Sequence, residues 1–149
     1  MNPDNFLALE PLLVARLVEQ LADMVPKVHV LTAVDLTAVT EATQLTPAIH
    51  VIYNGHRIAE TNSQGTMARI EQTWLAVVAI RNVRKLANGE AARADAGLIA
   101  SRAMRALMGF KPEPSSKPLV LVNGPASGFS AGYQYLPLAF AAELVQTNR

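Results

Sequence analysis

The stretch TWLAVVAIRN, residues 73–82, reads as a β-strand that has no polar face. Successive side chains of a strand point to opposite faces of its sheet, so the stretch divides into two sets of alternate residues. Both sets are largely apolar: Trp74, Ala76, Val78 and Ile80 on one side, and Thr73, Leu75, Val77 and Ala79 on the other. A sheet built around this strand therefore needs a cover on each face.

Two amphipathic helices supply the first cover. In residues 10–24 the apolar positions fall on one stripe, with Pro11 in the first turn and Pro26 just beyond the end. Residues 88–108 give the second helix, which Asn88 caps and Gly109 ends, and its stripe consists mostly of small residues. We predict that both helices pack on the same face of the sheet.

The second cover has two interpretations. Residues 33–42, AVDLTAVTEA, predict a short helix after a capping pair formed by Thr32 and Asp35. In one interpretation loop segments and a neighbouring subunit share the second face. In the other the chain covers both faces itself, as small layered domains often do. The sequence leaves both interpretations open.

Further apolar runs predict the other strands of the sheet. They lie at residues 28–32, 119–123 and 133–144. Pro137 has no N–H to donate, so it predicts an edge position or a bulge in the last strand. The sum is an α+β fold in a single domain, residues 1–149: a mostly antiparallel or mixed sheet of about four to five strands with two main helices packed on it.

A hairpin is predicted in the centre of the chain. Asn54-Gly55 separates the β-rich runs AIHVIY and HRIAE, and this dipeptide is the strongest short signal for a two-residue type I′ turn. The turn would place Tyr53 opposite His56.

Two loops are candidate contact surfaces. TNSQGT is small and polar, and GPASGFSAG is too rich in glycine and serine for regular structure. Loops tolerate polar, adaptable contacts that a packed core does not. The candidate contact residues are Thr61, Asn62, Ser63, Gln64, Gly65, Thr66, Ser127, Gly128, Phe129 and Ser130.

Catalytic and metal-binding motifs are nearly absent. GFSAG, residues 128–132, matches the nucleophile elbow G-x-S-x-G, but a strand is predicted after it where that motif needs a helix. The three histidines, His29, His50 and His56, have no carboxylate or cysteine at ligand spacing. We therefore predict a protein without enzymatic activity, metal or cofactor. A hydrolase that uses Ser130 is kept as a competing hypothesis, which labelling by a serine-reactive probe would test.

The charge balance gives no overall footprint for nucleic acid. The chain has 13 basic and 12 acidic residues, a net charge of +1. Arg81, Arg84 and Lys85 could still form a local basic patch. The absence of cysteine fits a reducing cytoplasm, and no run approaches the roughly 20 apolar residues of a membrane span, so no membrane partner is expected.

A resemblance to a known family adds to this picture. ALMGFKPEPSSKPLVLVNGPASGFSAGYQYLPLAFAAEL resembles the C-terminal half of tail terminator proteins of long-tailed bacteriophages, in which a helix ending in a small-aromatic pair and proline precedes a PL strand and a final strand. LALEPLLVARLVEQL with VHVLTAVDL, and LTPAIHVIYNG through TWLAVVAIRN, are similar to the same family in the same order. The resemblance covers nearly the whole chain.

The resemblance implies a virion assembly protein. Such a subunit forms a homohexameric ring on the head-proximal end of the tail tube, stops tube polymerisation and presents the surface that joins the head. Its partners would be its own copies, the tail tube protein and the head-tail connector protein, with assembly in the host cytoplasm. Arg81, Arg84 and Lys85 would then line a lumen and touch DNA transiently. A small cytoplasmic dimeric module that binds a ligand is the alternative from a different class.

Overall fold

The computed structural model describes residues 4–41, 45–81, 90–130 and 132–149. Within these residues three helices and six strands follow one another: α1 (Leu9–Gln20), β1 (His29–Thr32), α2 (Leu36–Glu41), β2 (Ala48–Thr61), β3 (Met67–Arg81), α3 (Glu90–Leu107), β4 (Val120–Val122), β5 (Gly128–Ser130) and β6 (Tyr133–Thr147). The α+β fold in a single domain is confirmed, with more strands than the four to five predicted. Asn88, the predicted cap of α3, lies outside the described residues.

The strands form one mixed sheet in the order β1-β2-β3-β6-β4, with β5 also paired to β6. β1 runs parallel to β2, and the other pairs are antiparallel. β3 and β6 pair along their whole length, from Met67 opposite Thr147 to Arg81 opposite Tyr133. The stretch around residue 74 therefore forms the centre of the sheet, with a partner strand on each side.

Helices α1 and α3 cover one face, which we call the helix face. Leu13 and Leu17 of α1 and Ala103 of α3 are almost fully buried against Trp74 and Val78 of β3. The predicted small-residue stripe explains this arrangement, because alanines let α3 lie close to the strands. The prediction that both helices share one face is confirmed.

We call the opposite face of the sheet the second face. The chain itself covers one half of it, the part around Val77 of β3. Leu75, Val77 and Ala79 are each at most 2% exposed. Val39 of α2 packs on them, and Tyr135 of β6 belongs to the same cluster. The short helix predicted after Thr32 therefore supplies this cover, and these positions need no neighbouring subunit.

The other half of the second face, around Thr73 of β3, is only partly covered by the described residues. Around Thr73 and Ala141, on the second face of β3 and β6, the side chains are only half-buried. Val120 and Val122 of β4 border this region with 56% and 37% of their surfaces exposed. We call this part of the sheet the open half.

The predicted hairpin at Asn54-Gly55 is wrong. β2 continues through the dipeptide, and Tyr53 and His56 pair with Trp74 and Gln72 of β3, so two residues of β2 stand opposite Thr73 alone. This is a β-bulge, and Gly55 adopts φ +94, the left-handed conformation that such a bulge shares with a type I′ turn. Pairing with the 15-residue β3 gives β2 a longer ladder than folding back on itself would.

Two predictions about the last strands have different outcomes. The glycine-rich stretch is not wholly a loop, because Gly128–Ser130 forms β5 against β6. Pro137 is where its missing N–H costs nothing: β4 pairs with residues 139–141 of β6 and β5 with 133–135. The proline thus faces the gap between two short edge strands, as an edge position requires.

Arg102 joins the two helices of the helix face. Its guanidinium donates to the Gln20 carbonyl at 3.0 Å, at the end of α1, and contacts the Asp23 carboxylate. Arg102→Met should lower the free energy of unfolding by about 1 kcal/mol, since a hydrogen bond from a charged donor is lost at a half-exposed site. Urea unfolding would measure the change. Arg105→Met, on the exposed side of the same helix, is the control and should stay within about 0.5 kcal/mol of the parent.

Candidate functional site

The two candidate contact loops lie at opposite ends of the β3–β6 ladder. Loop 61–66 adjoins Met67, and residues 127–130 adjoin Tyr133, which pairs with Arg81. The ladder has fifteen paired positions, so its ends are about 46 Å apart at about 3.3 Å per residue. The structure does not bring the two loops together, and each end of the subunit carries one of them.

Loop 61–66 is an ordered, exposed turn at the tip of the β2–β3 hairpin. The Asn62 side-chain oxygen accepts from the backbone N–H groups of Thr66 at 2.9 Å and Met67 at 3.3 Å. Its amide donates to the Thr66 hydroxyl at 2.9 Å, and Gly65 has φ +70. Thr61 is the last residue of β2. The tip thus presents uncharged polar groups in a fixed arrangement.

Residues 127–130 present an aromatic side chain at the other end. Phe129 in β5 is 50% exposed and pairs with Gln134 of β6, whereas Ser130 is half-buried. β6 begins at Tyr133, so a strand follows Ser130 as predicted, and the strand-turn-helix context of a nucleophile elbow is missing. The GFSAG match therefore carries no support for a hydrolase.

Arg81 is the described member of the predicted basic patch. It is exposed at the end of β3, and its guanidinium carbon lies 5.9 Å from the centre of the Tyr133 ring. Arg84 and Lys85 lie outside the described residues. Arg81 and Phe129 consequently mark the same end of the subunit, because both adjoin the start of β6.

Two buried polar groups lie beside this end, and the sequence reasoning missed them. The Gln134 side-chain oxygen and the Tyr135 hydroxyl are buried without a hydrogen-bond partner among the described residues. Burial, with a smaller contribution from Tyr133, raises the pKa of Tyr135. The alternation of residues in the last strand puts Tyr133 and Tyr135 on one face of the sheet, but it does not show which polar groups the fold encloses.

A set of charged side chains crosses the second face between Thr73 and the 61–66 loop. Arg57 on β2 contacts Glu71 on β3 at 3.2 Å, and Glu143 on β6 contacts Lys117 at 3.2 Å. Arg69 joins the strands, with ion pairs to Glu60 and, at 3.6 Å, to Glu143. Sequence reasoning missed this set because its members come from four segments that only the strand register aligns.

Glu143 should make stability pH-dependent. A hydrogen bond from Ser116 at 2.7 Å, with the positive charges of Lys117 and Arg69, holds the pKa of Glu143 below its ordinary value of 4.5. The stabilisation is therefore complete above that value and is lost as the pH falls through the lower folded-state pKa. Glu143→Gln should lower the unfolding temperature at neutral pH and lose this effect near pH 3.

Thermal unfolding of both proteins across this range measures the effect. Glu113→Gln, at an exposed position before Ser115, is the control and should follow the parent at every pH. A deficit of Glu143→Gln that is the same at pH 7 and near pH 3 would contradict the assigned cause.

His50 and His56 have packing roles in the described structure. His50 is buried on the second face, and burial lowers its pKa. The His56 ring stacks with Tyr53 on the helix face, where Phe6 also packs edge-on. His50 and His56 thus lie on opposite faces of the sheet, because the bulge at Asn54-Gly55 places His56 on the same face as Tyr53. Within the described residues no group of three or more His, Asp or Glu side chains could hold a metal ion.

A cavity of about 220 Å³ opens between the segment that follows α1, the end of β3 and α3. Its walls include Val25, Pro47, Leu98, Asp95 and Arg81. Pockets for drug-sized ligands usually measure about 300–1,000 Å³, so this one is small for that purpose. No helix of the described residues is both long and apolar enough to cross a membrane.

Comparisons with known proteins agree with the fold and the order of motifs. Residues 4–148 match the family described as "Phage tail terminator protein". No curated protein matches the chain. A chain of a solved structure, "Virion of native gene transfer agent (GTA) particle", has 17% sequence identity and a TM-score of 0.51; the match covers 89% of this chain and 93% of that one. At this identity the likeness shows the fold alone. Because the family match spans almost every residue, the chain belongs to the phage tail terminator family.

Proposed function

We propose that this protein forms a homohexameric ring on the head-proximal end of the tail tube, where it stops tube polymerisation and presents the surface that joins the head. Membership of a family of structural phage tail proteins gives the chain a role in virion tail assembly. The ring, its position and its partners go beyond that membership. The observation that carries the proposal is the match over residues 4–148, which leaves no large part of the chain for another function.

The geometry of the subunit supports contacts at two levels. A terminator has to bind the tail tube protein on one side and the head-tail connector protein on the other. The subunit has one candidate surface at each end of a ladder about 46 Å long: the polar turn 61–66 and residues 127–130 with Arg81. A two-layer core supports this ladder, so both surfaces are held at a fixed separation.

Residues 1–149 act as one unit in this proposal, without a catalytic residue or cofactor. The lumen of the ring would pass DNA, and Arg81, with Arg84 and Lys85, would line it. Replacing all three by Gln should leave ring formation intact and reduce the yield of infectious particles. An unchanged yield would remove the DNA contact from the proposal.

The ring is tested by native mass spectrometry over a range of concentrations, with negative-stain imaging of the same samples. The samples are measured with and without purified tail tube protein, because the ring could require the tube as a template for assembly. A hexamer mass together with sixfold rings supports the proposal. A stable dimer that does not assemble further, with or without tubes, would contradict it and favour a dimeric binding module.

The two ends are separated by one variant at each. Gln64→Arg changes the polar turn, and Phe129→Asp changes the other end; both side chains are exposed, so the fold should persist. Each variant should keep the ring and lose one activity only, either capping of tubes in vitro or joining of heads to finished tails. Loss of both activities in each variant would contradict the separation of the two surfaces.

A further inference from the structure

We infer that neighbouring subunits join through their sheets, with β4 of one copy pairing antiparallel to β1 of the next. This inference rests on the proposed ring and names the surfaces that would build it. β1 and β4 are the two ends of the strand order, so among the described residues each has an unpaired outer edge. Because the two edges differ, joining them repeats head to tail, and such a contact closes into a ring when the rotation allows.

Strand direction permits this pairing. β1 and β2 run the same way, β3 runs opposite to them, β6 opposite to β3, and β4 opposite to β6. β1 and β4 of one subunit therefore point in opposite directions. A copy placed alongside in the same orientation brings its β1 antiparallel to β4, and both sheets keep the same faces on the same sides.

Backbone groups are available on both edges. His29 and Ala33 donate to the carbonyls of Pro47 and Val51, so by alternation the N–H groups of Val30 and Thr32 point away from β2. On the other edge Leu119 exchanges hydrogen bonds with Gly109 and Phe110, outside the ladder with β6. The backbone N–H and C=O groups of Leu121, two residues later, point to the same outer side, because the backbone groups of a strand alternate in direction. Pairing Leu121 with Val30 forms two backbone hydrogen bonds.

The side chains of the two edges match in that register. Leu121 and Val30 both pack against the helix-face core. Val120 and Leu31 both lie on the second face and are 56% and 36% exposed. Joining the edges places Val120 beside Leu31 and covers apolar surface that each subunit leaves in water. A second copy is therefore the occupant that fits, because it supplies both the apolar side chains and the complementary backbone.

The outer edge of β2 beyond β1 is unsuited to such pairing. β2 beyond β1 has no outer partner among the described residues, but it contains the bulge at Asn54-Gly55 and a second irregularity between Ile58 and Glu60. Its outer residues include the charged Arg57 and Glu60. Bulges and charges are the usual protection of a sheet edge against pairing. β4 and β1 carry neither between their first and last residues.

The stagger of the two edges suits a closed ring. Val30 is level with Ile49, whereas Leu121 is level, through Phe140 and Trp74, with Tyr53. The offset from residue 49 to residue 53 is about 13 Å, and five strand spacings amount to about 24 Å. Joining the edges thus inclines the strands by about 30° to the ring axis, a tilt somewhat below the 35–45° of closed barrels.

Cysteine cross-linking tests the register, because the chain has no cysteine of its own. The double variant Leu31→Cys with Val120→Cys places one thiol on each edge. Opposed antiparallel residues have Cα atoms about 4.5–5.5 Å apart, which suits a disulfide. After mild oxidation, a non-reducing gel should show a ladder of covalent species up to six subunits, while either single variant stays uncrosslinked. Covalent dimers of the Val120→Cys variant alone would indicate twofold pairing of β4 with β4 and overturn the inference.

The second test places a charge on the edge of β4. The single substitution Val120→Lys is made in the parent chain, without the cysteines of the first test. This variant should lose the hexamer in native mass spectrometry and keep its circular dichroism spectrum, since Val120 is mostly exposed. Ile58→Lys, 53% exposed on the protected edge of β2, is the matched control and should keep the hexamer.

The two tests separate failure of the inference from failure of the proposed function. Hexameric rings that survive Val120→Lys, and in which the cysteine pair does not cross-link, overturn the edge pairing and leave the ring intact. A parent chain that forms neither rings nor cross-links, with or without tail tubes, overturns both.

Discussion

Val78→Asp is expected to leave no folded subunit. Val78 is completely buried at the centre of β3, between Ile49 of β2 and Leu136 of β6, and its neighbours on the helix face are apolar. A carboxylate there would have neither water nor a cationic partner. Its burial should cost at least about 5 kcal/mol, which is comparable to the whole stability of a typical domain. Circular dichroism and urea unfolding would show a chain without a cooperative transition.

Two controls define the cause of that loss. Val145→Asp introduces the same charge near the other end of β6, where the parent side chain is 50% exposed, and should stay within about 0.5 kcal/mol of the parent. Val78→Ala removes apolar volume without adding charge and should remain folded with a loss of about 2–4 kcal/mol. A cooperative, near-parental transition for Val78→Asp would show that this side of the sheet is accessible to water.

Gly124→Ala should have the second largest effect, because the backbone at Gly124 lies against β6. A Cβ at this position would be 2.8 Å from the Ala139 Cβ, closer than two carbon atoms tolerate. Ala139 is 1% exposed and belongs to the covered cluster of the second face, so it has little room to move. We expect a loss of about 1–3 kcal/mol in the free energy of unfolding, the usual cost of overpacking.

A double-mutant cycle tests this explanation. Ala139→Gly removes the atom that would collide and should itself cost about 0.5–1 kcal/mol, since glycine weakens a strand. In the double variant Gly124→Ala with Ala139→Gly the two losses should not add, and the coupling should favour the double variant by about 1 kcal/mol or more. Additive losses would mean that the close approach to Ala139 is not the cause of the destabilisation. Gly128→Ala, with open space around its Cα, is the control.

The sequence predicted the arrangement of layers because that arrangement follows from composition and periodicity. A strand with two apolar faces has to be central, and two amphipathic segments have to cover it. Pro137 likewise required a place without a ladder partner on one side of its strand, and the gap between β4 and β5 provides it, while β3 pairs on the other side. These are statements about single residues or one segment, and the tertiary structure did not alter them.

Predictions that depended on choosing between partners were not secured by local signals. Asn54-Gly55 favours a left-handed glycine, and both a two-residue turn and a bulge satisfy that preference. The bulge forms instead of the turn because β3 is long enough to pair with β2 on both sides of the dipeptide. In the same way Gly128–Ser130 became a strand because β6 offered it an edge.

The candidate surfaces show the same division. That loops 61–66 and 127–130 are contact candidates follows from their polar and small residues. Their placement at opposite ends of one ladder depends on β3 pairing with β6 over fifteen positions. The ion pairs around Glu143 depend on the same register, because Arg69, Lys117 and Glu143 come from separate segments.

The sequence by itself determined the α+β layers, the central strand, the helix cover and the family, since each rests on residue types and their spacing along the chain. Only the tertiary structure decided how the second face is covered and whether Asn54-Gly55 forms a turn or a bulge. It also decided which charged side chains form ion pairs and which strands pair. The physical reason is that burial and strand pairing are long-range: they compare the free energies of alternative partners, and a local pattern contains information about one partner only.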